Sequence, residues 1–172
     1  MPIQLDATSE QNILNMLMDQ SVISIDQMTK IKAMSKEIGK SRLETAFELN
    51  LTDEKKIIEI LSKSYSLGTV DLKKYKINDK LKKIVPLDYI RNNTLVPFEI
   101  ANGTLKIAIP DASKLSLMKN LKTMTKMDPE LYAATISDIS DFIIRMSGGE
   151  DKQSPGQKLE QIKKKEKIVP IE

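Results

Sequence analysis

The sequence predicts an α+β protein: an N-terminal helical bundle followed by a small mixed sheet with flanking helices. Three observations predict it. Capped segments with apolar residues at helical spacing fill residues 9–61. After Gly68 the pattern changes to short runs of strand character. Between two of those runs stands Asn102-Gly103, the strongest hairpin signal in the chain.

The elements follow in order. Residues 9–21 form the first helix, with Ser9 as its cap and Ile13, Leu14, Leu17 and Met18 on one face. Ser24 caps the second, with Gln27 three residues on, and Gly39 ends it. Its apolar positions are Met28, Ile31, Met34 and Ile38. A third helix starts at Ser41 and stops at Asn50, which tolerates left-handed backbone. Thr52 caps a fourth, carrying Ile57, Ile58, Ile60 and Leu61. Aligning Val22-Ile23-Ser24 with Asn50-Leu51-Thr52 gives an internal repeat of roughly 28 residues, two hairpins of one four-helix unit.

The second half opens with an extended segment at Thr69–Leu72. Asn78 caps a helix with Leu81 and Ile84 inward, and Pro86 suits the first turn of another. Thr94–Ile100 is a strand in which Pro97 implies an edge or a bulge. Thr104–Ile109 returns from the Asn-Gly turn. Asp111 or Ser113 caps a helix with Leu115, Met118 and Leu121 inward. Glu130–Ala134 is a third strand, and Ser137 caps a last helix with Ile139, Phe142, Ile143 and Met146. Gly148-Gly149 closes the fold. The expected organisation is a helical subdomain at 1–65, a sheet module at 66–149 and a disordered lysine-rich tail or linker at 150–172.

Composition removes several function classes. The 172 residues contain no cysteine and no histidine. Disulfides, thiolate metal sites, the usual general base and the commonest zinc ligand are therefore absent. The only aromatic residues are four Tyr and three Phe, so the core is aliphatic. A net charge of +3 from 27 basic and 24 acidic residues describes a mixed surface. Lys73-Lys74 and Lys164-Lys165 carry no RNA-binding signature, so they read as solvated rather than nucleic-acid binding. No apolar run approaches the ~18 residues of a membrane span. The expectation is a soluble cytoplasmic protein.

Gly39-Lys40-Ser41 has the ending of a phosphate-binding loop, but the glycine required five residues earlier is Met34. The carboxylates are scattered, and no serine has an adjacent base. No catalytic residue, metal ligand or cofactor is expected.

One resemblance adds to this reading. Val70-Asp71-Leu72, Ile77, Leu81, Pro86, Pro97, Gly103, Leu105, Ala108, Asp111, Ile139, Ile143 and Arg145 match in order and spacing over residues 66–146. That stretch resembles the N-terminal domain of type II secretion and type IV pilus assembly ATPases. Residues 10–65 resemble its helical half, which in some relatives carries two repeats, Arg-Leu-Gly followed by a later Gly, that bind cyclic di-GMP. Here Asn12-Ile13-Leu14 with Ser21, and Ser41-Arg42-Leu43 with Asn50, stand in their place. Losing the glycines removes close backbone approach to a flat base, and losing the aligned arginines removes phosphate contacts. Asp111-Ala112 replaces the family's Asp-Pro, and Lys126 replaces a glycine before the third strand.

The chain lacks Walker motifs, so it is either a fragment of a larger ATPase or a stand-alone relative. The resemblance implies a non-catalytic docking or regulatory domain with a protein partner in a secretion, pilus or motility apparatus. It implies neither nucleic-acid binding nor direct membrane insertion. The strand edge at Thr94 and Val96 is the expected docking surface. The alternative is a cyclic di-GMP receptor using Lys40 and Arg42.

Overall fold

The computed structural model describes residues 5–148. The expected tail or linker at 150–172, the Lys164-Lys165 cluster and Gly149 lie outside the described residues. The architecture is α+β: four helices, then a four-stranded mixed sheet with helices against it.

The first four helices are α1 (Ala7–Asp19), α2 (Ile25–Ile38), α3 (Arg42–Glu48) and α4 (Glu54–Tyr65). Each begins where a side-chain oxygen takes an orphan backbone N–H. Ser24 with Gln27, and Ser41 with Glu44, form reciprocal capping boxes. Two caps differ from the sequence expectation, and in both an ionised carboxylate outcompetes a hydroxyl. Asp6, not Ser9, caps α1 by accepting from the Ser9 N–H at 2.7 Å. Asp53, not Thr52, caps α4 by accepting from the Lys56 N–H at 2.8 Å. Ser9 is buried in the first turn of α1 instead.

The two joints of this bundle are copies. In the first, Gln20, Ser21 and Val22 donate to Met16, Met18 and Leu17; in the second, Leu49, Asn50 and Leu51 donate to Thr45, Phe47 and Ala46. Ser21 and Asn50 hold the same left-handed backbone, with φ of 60° and 56°. Equivalent atoms are therefore 29 residues apart, one more than the expected register, and Ser24 pairs with Asp53 rather than with Thr52. Ile13, Leu14, Leu17, Ile31, Leu43 and Ala46 anchor the core of this half. Met34 and Ile38 of α2 stay outside it, because α2 packs mainly on α3.

The second half contains β1 (Gly68–Thr69), α5 (Asp79–Ile84), α6 (Leu87–Asn93), β2 (Val96–Ala101), β3 (Thr104–Ile109), α7 (Met118–Thr125), β4 (Asp128–Ala133) and α8 (Ile136–Met146). Strand order is β1-β4-β3-β2, parallel except for the β2–β3 hairpin. That hairpin turns on Asn102 and Gly103, both at positive φ (50° and 79°), as the right-handed twist of the strands demands. Pro97 sits at a register shift of edge strand β2, which spares the ladder a missing donor. The extended segment at 69–72 shortens to two residues, because Asp71 starts a 3-10 turn at Leu72–Lys74. Gly68 admits the Tyr132 ring; a Cβ there would lie 3.0 Å from it.

Three further expectations shift. Ala112–Leu117 is 3-10 rather than α, which turns Met118 outward and Lys114 inward. The third strand starts two residues early, at Asp128. Thr135, not Ser137, caps α8 by accepting from the Asp138 N–H. The sheet core gathers Phe98, Leu105, Ile107, Ile109, Phe142 and Ile143. Phe98 meets Tyr75 and Tyr132 edge-on at 4.9 and 5.5 Å.

The halves meet where α1 packs on the 3-10 turn before α7. There the buried Lys114 ammonium donates to Asp6 Oδ2 at 2.9 Å. Burial works against the Asp6 carboxylate, but the donors from Lys114 and Ser9 outweigh it and hold its pKa below 3.8. A depressed carboxylate stabilises the fold fully above its unfolded pKa, and the contribution is lost as pH falls through the folded value. Asp6→Asn keeps an N-cap but strands the buried Lys114 ammonium, and should cost about 2–3 kcal/mol at neutral pH, less than for a fully buried pair because the carboxylate is partly exposed. Urea midpoints should converge with wild type as pH drops below 3.8. Lys114→Met, which removes the buried charge itself, should stay within ~1 kcal/mol of wild type.

The left-handed joints supply a second expectation. Ser21→Gly relieves backbone strain of ~1–2 kcal/mol and adds back part of it as unfolded-state entropy. Denaturant titration should show a gain of about 0.5 kcal/mol, and Ser21→Val a clear loss.

Candidate functional site: an acidic cleft between the two halves

The helical bundle and the sheet module leave a cleft of about 450 Å³ between them. Its floor is apolar, from Leu5, Leu43, Phe47 and Ile136. Its walls carry three carboxylates, Glu10, Glu44 and Glu54, and no Lys or Arg is among the lining residues.

Chain direction explains the walls. The N-termini of α1, α3, α4 and α8 converge here, represented by Ala7, Ser41, Glu54 and Ile136. Helix N-termini present unpaired N–H groups and a positive dipole end. Each of the three glutamates answers one such end. Glu10 Oε2 accepts from the Leu43 N–H at 3.0 Å, which caps α3 from α1. Glu44 Oε1 accepts from the Ser41 N–H at 3.0 Å. Glu54 reaches across the boundary to α8, accepting from the Ser137 N–H at 2.8 Å and its hydroxyl at 2.7 Å.

These contacts decide what the cleft suits. Four helix ends would make an anion site, but the chain's own carboxylates already occupy donors that an incoming anion would use. Each helix end offsets roughly half a charge. Three glutamates, with Asp53 capping α4 beside them, outweigh that and leave the rim net negative. The surface therefore favours apolar groups carrying cations and opposes phosphates.

The residues expected to act from sequence lie elsewhere. Lys40 is ion-paired with Glu48, which raises its pKa. Arg42 is the first residue of α3, beside the cleft, but it is not among the lining residues. Thr94 is the left-handed C-cap of α6, and Val96 is the first residue of β2. Both are 0–1% exposed. They cannot present side chains to a partner; strand alternation is overridden there because helices cover the start of β2. A charge at Val96 would report on folding rather than on docking. No local signal marks Glu10 and Glu54, because their partners lie 33 and 83 residues away. Among the described residues no cluster of three or more acidic side chains has the geometry to hold a metal ion. No described helix is long and apolar enough to cross a membrane.

The Glu54–Ser137 contact yields a stability test. Glu54→Ala removes a charge-assisted cap on α8 and should lower unfolding free energy by about 1–2 kcal/mol. Glu54→Gln keeps an acceptor and should cost less than half of that in the same titration.

Comparison with known proteins places this arrangement. The model of the MshEN domain matches residues 65–153. The type IV pilus assembly ATPase PilB of Myxococcus xanthus is 27% identical over 131 residues, covering 76% of this chain and 23% of that protein. The PilB of Thermus thermophilus is 20% identical over 123 residues, covering 70% of this chain and 14% of that one. The chain thus spans under a quarter of the length of these curated relatives. Among solved structures, MshE with cdg superposes with a TM-score of 0.56 at 19% identity, over 78% of this chain and 97% of that one. The N-terminal domain of XpsE gives 0.57 at 19%, over 79% and 94%. At such identity the likeness is one of fold.

Proposed function

Because the chain belongs to the MshEN domain family, we propose that it is a cytoplasmic docking domain of a type II secretion or type IV pilus system. It binds a protein partner of that apparatus and performs no chemistry itself. Family members form the N-terminal, non-ATPase part of the assembly ATPases. The observation that carries the docking reading is the cleft: an apolar floor, a fixed acidic rim, and helix-end donors already taken by the chain's own carboxylates. Such a surface buries a partner's apolar side chains and orients its basic ones.

The test is binding to the cytoplasmic segment of the assembly-platform protein from the same system, measured by calorimetry. Glu10→Gln, Glu44→Gln and Glu54→Gln together keep hydrogen-bond acceptors and remove charge. They should weaken binding at least about tenfold, equivalent to 1.4 kcal/mol, with an unchanged circular dichroism spectrum. Phe47→Ala should weaken it similarly. Full affinity in both variants would rule the cleft out.

A second reading, cyclic di-GMP binding through Lys40 and Arg42, has one support: the fold neighbour MshE was solved with cdg. The acidic rim, the missing glycines and the Lys40–Glu48 ion pair count against it here. Calorimetry with cyclic di-GMP should give no heat at high micromolar ligand. Saturable heat abolished by Arg42→Ala would favour this reading instead.

A further inference from the structure

Taking the cleft as a docking site, we propose that it also binds the chain's own residues 157–171, so that partner and this segment compete for one surface. The chemistry matches on both sides. Within 163–167 the sequence reads Lys-Lys-Lys-Glu-Lys, flanked by Ile162 on one side and by Ile168, Val169 and Ile171 on the other. The cleft offers the complement: Glu10, Glu44 and Glu54 around Leu43, Phe47 and Ile136.

Reach is sufficient. The cleft holds the first residue of α8, and the described chain leaves at the far end of that helix, 11 residues on. Eleven helical residues span about 16 Å. The 14 residues 149–162 can extend to about 46 Å. A tethered ligand faces an effective concentration of order millimolar, so a contact too weak to hold a free peptide still fills the cleft.

The chain has no cysteine, so spin labels at Thr8→Cys and Gln161→Cys report on the whole 172-residue chain. Thr8 is an exposed residue of α1, next to lining residue Ala7. Electron–electron distance measurements should show a narrow, short-distance population. It should be lost in the triple Glu→Gln background, in high salt, and on addition of synthetic peptide 157–171. A broad distribution in wild type, or a short-distance population indifferent to the Gln substitutions, overturns the proposal. So does a signal that disappears on dilution with unlabelled chain, because the occupant is then a second copy. Normal partner binding without the short-distance population sinks this inference alone; loss of partner dependence on the three glutamates sinks the docking reading beneath it.

Discussion

The structure depends on how helix N-termini are satisfied where the two halves meet. Four helices point their N-terminal ends at one place. Each end has orphan N–H groups that cannot be left unpaired near a buried surface. Water, a bound anion or the chain itself can supply acceptors. Here the chain supplies them, through Glu10 to α3 and Glu54 to α8. The same two contacts fix the helix ends and set the sign of the cleft, so stability and binding preference share one cause.

The Asp6–Lys114 pair holds the neighbouring part of the boundary. It follows the same logic with a different donor. Asp6 caps α1 and neutralises an ammonium that the 3-10 turn at Ala112–Leu117 draws inward. A buried ion pair adds little net stability over an apolar pair, but breaking it leaves a charge stranded. Such a contact fixes which way α1 sits on the sheet module, and therefore where Leu5 and Glu10 enter the cleft. Ile136 adds the apolar part of the boundary: it belongs to α8 yet packs against the helical core.

Local signals made much of the fold legible. The capping box at Ser24, the start of the third helix at Ser41, the turn at Asn102-Gly103 and the irregularity at Pro97 each depend on residues within three or four positions. Caps differ from expectation where two candidates stand close together and a carboxylate or a better-positioned hydroxyl wins, as at Asp53 over Thr52 and Thr135 over Ser137. The repeat was visible, but its register needed the hydrogen bonds of the left-handed joints. The cleft was not legible. Glu10 and Glu54 look like solvated helix charges until tertiary structure brings Leu43 and Ser137 to them. Val96 shows the converse: a strand edge suggests exposure, but flanking helices bury the side chain.

The central claim is that the junction of helix ends is the surface a partner occupies. Amide chemical shifts recorded while the platform protein's cytoplasmic segment is titrated into the 172-residue chain test it most directly. The account predicts the largest, saturable perturbations at residues 5–10, 41–47, 54 and 136–137. Perturbations confined to β2 or to the outer face of α2, with the junction unmoved at saturation, would contradict it.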